Sequence, residues 1–375
     1  MRNPYHFGSP ALESHFTDRV RELEQLRSVM LNGQNAILIA PRRFGKSSLL
    51  SRAIDQVRAA GGRSGKVSLM KCSTEQEVAE ELMRGVLEGP AGWLRGHVEE
   101  LVERLRRVRI QPELVFEEGQ VRGIRLGAMS TTLEWRETIA RVIRLLGELG
   151  DEAHPVSLVI DEYQRAYEIA PAIPAMTKDL IDELPRVSLV LAGSKRHLME
   201  EITRDPDTSP LYHVGAKLYL EKISRGEFAA YLVGRAEAGG KRMSLEVAEL
   251  VYDLANGIPN DVQLLSYWAW DRAGRRITED DVLEALHQAV ADQKQEYETI
   301  FDRLATTQQL LLKLLAAEPL ENLTALAVTQ RLGVTHGAVR KAAEVLQRQE
   351  LIAREEDGRW AVFSGLFRQW LVGDY

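Results

Sequence analysis

The apolar positions of this chain follow two different rhythms, and the change comes near residue 220. Before it, short unbroken apolar runs alternate with helical spacing. Ala36-Ile-Leu-Ile39, Val156-Ser-Leu-Val-Ile160 and Val187-Ser-Leu-Val-Leu-Ala192 lack the in/out alternation of a half-exposed strand. Such runs predict central strands buried on both faces of a parallel sheet. Lys66-Val-Ser-Leu-Met70 predicts a further strand. Leu23, Leu26 and Val29 lie on one face of a helix after Arg19, and another helix runs to about Ala60, where Gly61-Gly62 breaks it. Strands alternating with helices predict an α/β fold around a parallel sheet.

Residues 74–150 read as mostly helical and strongly charged, as in Glu99-Glu-Leu-Val-Glu-Arg-Leu-Arg-Arg107. Leu114-Val-Phe116 and Val121–Leu126 flank Glu117-Glu-Gly-Gln120 and suggest a hairpin. This stretch reads as an insertion or an elaborated helical layer, its charge runs a solvated face.

After Leu220 the pattern is helical only. Ser224-Arg-Gly-Glu227 and Thr278-Glu-Asp-Asp281 resemble capping boxes. Ser244–Ala255 stops at Asn256-Gly257, and Ile258-Pro259 opens the next helix, where Trp268 and Trp270 read as core or interface residues. From about Phe301 a third arrangement begins: helices over Gln308–Leu315 and Leu323–Leu332, a turn at Gly333-Val-Thr-His336, and a helix over Gly337–Gln349. Leu351–Arg354 and Trp360–Phe363 around Asp357-Gly358 form a hairpin. Three helices and a hairpin predict a winged helix-turn-helix. Its third helix turns Val339, Ala343, Val345 and Leu346 inward and exposes His336, Arg340, Lys341, Gln347 and Arg348. The expected domains are 1–220 (sheet, with the 74–150 elaboration), 221–300 (a helical lid) and 301–375 (the winged helix).

Composition narrows the class. A chain of 375 residues with 45% hydrophobic and 27% charged residues suits two or three globular domains. A single cysteine, Cys72, excludes an internal disulfide and fits a reducing, cytoplasmic setting. No apolar run approaches a membrane span, and Met1-Arg-Asn-Pro-Tyr-His6 lacks the apolar core of a signal peptide. Neither HExxH nor a Cys/His ligand spacing occurs, so no structural zinc is expected. The net charge of −7 does not advertise nucleic-acid binding.

The candidate chemistry sits at the ends of the apolar runs. Ala40-Pro-Arg-Arg-Phe-Gly-Lys-Ser47 joins a strand to a helix and ends as a phosphate-binding P-loop does. Its backbone N–H groups would wrap a nucleotide's phosphates, Lys46 would reach the β- and γ-phosphates, and the Ser47 hydroxyl would hold Mg²⁺. The following helix, from Ser48 on, adds the positive end of its dipole. Ala40 replaces the usual first glycine, so that position must take an ordinary φ; Pro41 restricts it to extended backbone. Alone, these residues also fit a basic surface turn. Asp161-Glu162 closes the run from Val156, where ligands bind in open α/β sheets. Asp161 would hold the metal, directly or through water, and Glu162 would orient or deprotonate an attacking water. Ser194, after the third run, suits either a contact near the γ-phosphate or a plain strand-to-helix turn.

Together these residues resemble the prokaryotic AAA+/STAND ATPases of the archaeal-type ATPase family, over nearly the full length. That family carries a Phe-x-Gly-Arg box, a Gly-Pro-Arg-Arg-x-Gly-Lys-Thr/Ser loop, an Asp-Glu-Phe-Gln strand end, an Ala-Gly-Ser strand end and a C-terminal winged helix. The matching residues are Phe16-Thr-Asp-Arg19, Ala40–Ser47, Asp161-Glu-Tyr-Gln164 and Ala192-Gly-Ser194, with Ser209-Pro-Leu-Tyr212, Gly257-Ile-Pro259 and Leu366-Phe-Arg-Gln-Trp-Leu371 as further features. The resemblance implies an ATP- and Mg²⁺-dependent ATPase, with Phe7, Gly8, Phe16 and Arg19 near the base. Asp18 and Ala40 depart from the family's glycines, and Asn260 stands where many AAA+ proteins place a sensor arginine. Arg196 and Arg204 are the candidates for completing a neighbour's site in a homo-oligomer. DNA, through Arg340, Lys341 and Arg348, and a protein partner are both open: from residue 301 onward nine Lys/Arg face nine Asp/Glu, and Glu355-Glu-Asp357 in the wing would repel phosphates.

Overall fold

The computed structural model describes residues 2–8, 19–92, 98–110, 112–117, 120–126, 132–355 and 357–373. Two compact units emerge: Arg19–Arg42 with Lys46–Leu220, and Met1–Asp18 with Arg43–Gly45 and Glu221–Tyr375.

The first unit opens with α1 (Val20–Leu31), β1 (Ala36–Ile39), α2 (Lys46–Ala59) and β2 (Arg63–Ser68). The buried face of α1 is Leu23, Leu26 and Met30, so Val29 lies at its margin and not at its centre. The strand expected over 66–70 starts three residues earlier and ends at Ser68. Leu69–Lys71 turns into a short 3₁₀ helix, whose first N–H groups the Ser68 side chain helps to satisfy.

Next come α3 (Glu75–Glu88), α4 (Val98–Arg107), β3 (Pro112–Glu117), β4 (Gln120–Leu126) and α5 (Thr132–Leu149). Thr74 and Glu77 close a full capping box on α3. The 74–150 stretch divides in two. Val78, Leu82 and Val86 of α3 and Ile139, Ile143 and Leu146 of α5 belong to the same buried core as the sheet, whereas β3 and β4 form a separate two-stranded sheet. Gly65 allows α3 its close approach: a Cβ there would fall 2.8 Å from the Gly85 carbonyl oxygen. At that position β2 has no room for a side chain, while Val67 on the same face packs against α3 and the neighbouring Ser64 and Lys66 point the other way.

The unit closes with β5 (Val156–Asp161), α6 (Gln164–Ile169), α7 (Ala172–Glu183), β6 (Val187–Gly193), α8 (Arg196–Thr203) and β7 (Ala216–Tyr219). The five parallel strands lie in the order β2-β5-β6-β1-β7. β1, β5 and β6 are buried along their whole length, as unbroken apolar runs demand. β7 lies at the edge and is only partly buried, so periodicity does not reveal it. Because every strand runs the same way, all carboxyl ends share one rim.

The second unit holds α9 (Arg225–Ala238), β8 (Arg242–Met243), α10 (Leu245–Leu254), α11 (Pro259–Arg272), β9 (Arg276–Ile277) and α12 (Glu279–Asp302). Ser224, Ser244 and Thr278 cap three of these helices with their hydroxyls. Then follow α13 (Thr306–Ala317), α14 (Leu326–Leu332), α15 (His336–Arg348), an antiparallel hairpin of β10 (Ile352–Arg354) and β11 (Trp360–Val362), and α16 (Gly365–Val372). The inward face of α15 is Val339, Ala342 and Leu346; Ala343 and Val345 are half-buried, a shift of one position from the expected face. His336 opens α15, with Thr335 as its cap, and is not part of the turn. Trp270 is buried and Trp268 packs against the same core. Among the described residues no helix is long and apolar enough to cross a membrane.

Candidate functional site

The rim of the sheet gathers the chemistry that the strand ends promised. β1 lies beside β6 with Ile39 opposite Gly193, and the Ala40 N–H donates to the Gly193 carbonyl at 3.1 Å. Ala40 is not among the left-handed positions of the chain; within the loop, Arg43 (70°) and Gly45 (82°) take positive φ. The missing first glycine is thus no obstacle to this loop.

Lys46, the first residue of α2, is buried. Its Nζ lies 2.5 Å from Asp161 Oδ1 and 2.6 Å from Glu162 Oε1, though 115 residues separate Lys46 from Asp161 along the chain. Glu162 follows the last residue of β5 with φ of 57°, a left-handed conformation that costs a non-glycine residue about 1 kcal/mol. Its backbone N–H donates to Asp161 Oδ1 at 3.0 Å, and the next N–H, of Tyr163, donates to the Ala192 carbonyl at 2.9 Å. This turn sends the two adjacent carboxylates toward the same lysine. The second oxygen of Glu162 accepts from Ser194 Oγ at 2.6 Å and from Gln164 Nε2 at 2.5 Å.

Burial works to raise both carboxyls. The Lys46 charge outweighs it for Glu162, helped by Ser194 and Gln164, and Lys46 with Lys66 outweighs it for Asp161. Both groups are therefore held below the ordinary carboxylate range and are ionised near neutrality. Among the described residues no group of three or more His, Cys, Asp or Glu side chains is placed to hold a metal ion. The available donors are hard oxygens, the Asp161 carboxylate and the Ser47 hydroxyl on the first turn of α2. That set fits Mg²⁺ completed by phosphate and water, not a softer metal held by protein alone.

Two participants were not singled out from sequence. Gln164 stood in a recognised motif without a role; it is buried, and its Oε1 has no partner. Lys66, in the middle of β2, places Nζ 3.0 Å from Asp161 Oδ2. A lysine inside a parallel strand was the available signal.

The remaining loop residues divide. Pro41 is half-buried, Arg42 is exposed and Ser48 is buried. Arg43, Phe44 and Gly45 group with the second unit. There Arg43 donates to Gln293 at 2.8 Å and to Glu296 at 2.8 and 2.9 Å, and its Nη1 is 3.5 Å from Asp261 Oδ1. Phe44 stacks on Phe363, with centroids 5.7 Å apart. Asp261 is wholly buried, and burial pushes its carboxyl upward against the opposing pull of Arg43. Its Oδ2 accepts from the Ser364 hydroxyl at 3.1 Å. Replacing Asp261 by Ala leaves the hydroxyl and the guanidinium short of an acceptor, and is expected to destabilise the protein by about 2 kcal/mol. Asp261→Asn, which keeps an acceptor for Ser364, costs less. Urea midpoints of the two variants check the order.

Phe7 and Gly8 also belong to the second unit: Phe7 meets Tyr267 edge-on at 5.2 Å, and the Gly8 N–H donates to Asn260 Oδ1 at 3.1 Å. Arg19 is buried, in the first unit, and pairs with Glu22 at 3.0 Å. Phe16, Thr17 and Asp18 lie outside the described residues. Arg196 and Arg204 both stand on or beside α8 next to Glu200.

A five-stranded parallel sheet in this order is the arrangement typical of the P-loop AAA+ fold. The chain resembles the Walker-type ATPase PABY2304 of Pyrococcus abyssi, with a TM-score of 0.69 at 16% identity over 98% of this chain and 99% of that one. It also resembles ORC2 of Aeropyrum pernix, solved as ADPNP–ADP complexes, with a TM-score of 0.59 at 16% identity over 95% of this chain and 93% of that one. At such identities the likeness concerns the fold. No protein-family profile matches the chain, and no curated protein sequence does.

Proposed function

We propose that the chain binds ATP with Mg²⁺, hydrolyses it, and uses its nucleotide state to control the C-terminal winged helix. The observation that carries this reading is the buried Lys46 ammonium shared by Asp161 and Glu162 at the rim of a parallel sheet. Lys46 bonds both carboxylates, and with Lys66 on Asp161 it balances their charge. A triphosphate in the loop Ala40–Ser47 offers it a more strongly charged partner, and its transfer frees both. Asp161 and Ser47 would hold the metal, which would neutralise phosphate charge. Glu162 orients the attacking water and takes its proton, while Ser194 and Gln164 fix its orientation. Phe7, Gly8, Phe16 and Arg19 are the proposed contacts of the base, and Arg196 or Arg204 the proposed contribution to a neighbouring copy's site. A protein partner is the proposed recipient of the switch.

ATP turnover measured across protein concentration, with and without duplex DNA, tests this. Magnesium-dependent phosphate release is expected, and none under any condition removes the assignment. A specific rate that climbs with concentration supports a shared site in a homo-oligomer. A flat, very slow rate supports a nucleotide-stabilised scaffold instead.

A second reading, a DNA-binding ATPase, is favoured by α15, which leaves His336, Arg340, Lys341, Gln347 and Arg348 exposed. Against it, Arg340 pairs with Glu344 at 3.1 Å. If DNA is the partner, replacing Arg340, Lys341 and Arg348 together weakens duplex binding by about tenfold or more and flattens its salt dependence by about three contacts. Fluorescence anisotropy over a salt series reads both; no duplex binding at low salt, with or without ATP, discards the reading.

A further inference from the structure

Lys66 is a second lysine on the metal-binding carboxylate, and the usual P-loop arrangement does not need it. β2 pairs with β5 so that Ser68 lies opposite Asp161 and Lys66 opposite Val159. Lys66 and Ser68 are two apart and share a face, the one turned away from the Gly65–α3 contact. From there the lysine stem reaches along the strand to Asp161 Oδ2 at 3.0 Å. Asp161 is thereby divided: Oδ1 takes Lys46 and the Glu162 N–H, and Oδ2 takes Lys66. The four side chains Lys46, Lys66, Asp161 and Glu162 sum to zero charge, where one lysine fewer would leave the site at minus one.

Resting on the ATPase reading, we propose that Lys66 is a positioning and charge-balancing residue that lowers the dependence of nucleotide binding on a divalent cation. It has two effects. Bonded to Oδ2, it holds the Asp161 rotamer with Oδ1 turned to the loop after Lys46 has moved to the phosphates. It also keeps a fixed positive charge beside the metal-binding carboxylate, which favours the polyanionic nucleotide and disfavours the free cation. Removing one unit charge at this range from a partly solvated site changes either affinity by about tenfold.

The test is ATP affinity by calorimetry, in Mg²⁺ and in EDTA, for the wild type and for Lys66→Met, Lys66→Gln and Lys66→Arg. The ratio of the EDTA Kd to the Mg²⁺ Kd is expected to rise about tenfold in Lys66→Met and Lys66→Gln, and to return to within about threefold in Lys66→Arg. Mn²⁺ without nucleotide, followed by its electron paramagnetic resonance signal, is expected to bind Lys66→Met more tightly than wild type. A lysine that only supports the fold would lower the melting temperature and leave both readouts in place. One apolar and one polar uncharged replacement are used so that misfolding of one leaves the other to be read. An unchanged ratio in a folded variant, with the wild type binding Mg²⁺-ATP, overturns the role of Lys66 alone. A wild type that binds ATP in neither medium overturns the ATPase reading, and this proposal with it.

Discussion

Lys46→Ala is expected to lose ATP binding by at least about a hundredfold, the cost of removing a charge-assisted partner from the β- and γ-phosphates. The same substitution acts on the nucleotide-free protein. Lys46 is the ion-pair partner of two buried carboxylates, and deleting it leaves Asp161 with Lys66 and Glu162 with only the neutral donors Ser194 and Gln164. Breaking a buried pair from one side costs about 3–5 kcal/mol, so a marked fall in the urea midpoint should accompany the lost binding. The sign of the pH dependence follows. Asp161 and Glu162 are both held below the ordinary range in the folded chain. Their contribution is therefore complete above their unfolded values of about 4 and fades as pH falls through the lower folded values. In Lys46→Ala that acid limb weakens, because the charge that depressed Glu162 is gone. Calorimetric titration with ATP and urea melts from pH 3 to pH 7 measure both effects, and normal ATP affinity in the variant would remove Lys46 from the site.

Glu162→Gln should spare binding and remove chemistry. The amide has nearly the shape of the carboxylate and can keep an acceptor toward Ser194 and Gln164, so ATP affinity should stay within about threefold. An amide cannot take a proton from water, and turnover should fall by about 10²–10⁴-fold. Single-turnover phosphate release separates the two, since binding is saturated and only the chemical step is read. Turnover at the wild-type rate would reject Glu162 as the group that activates water. The left-handed backbone at Glu162 adds a reason for the sharpness of this result: the turn is strained, and its strain places one carboxylate toward both Lys46 and Ser194.

The sequence by itself determined what is local. A strand, a tight turn and a helix start are specified within a dozen residues, so the loop from Ala40 to Ser47 could be read from its order alone. The runs ending at Asp161 and Gly193 were legible because a strand buried on both faces tolerates almost nothing but apolar residues. Caps at Thr74, Ser224, Ser244 and Thr278 were equally local in kind, each a hydroxyl serving an N–H three residues on. Legibility failed where the deciding partner is distant. β7 is short and half-exposed and becomes a strand only by pairing with β1. α3 and α5 carry enough charge on their outer faces to pass for an added layer, and only packing on the sheet places their inner faces in its core.

The tertiary structure alone decided which charges meet. Parallel pairing brings the ends of β1, β5 and β6 to one rim, and so joins Lys46 to Asp161 and Glu162, and Glu162 to Ser194, by hydrogen bonds. The register of β2 against β5 does the same for Lys66, which in the sequence is one charged residue in an unremarked strand. Residue types and their spacing state what a segment can become, because backbone preference and burial act over a few neighbours. Which carboxylate a buried lysine neutralises depends on strand order and register, and those are settled by the packing of the whole sheet.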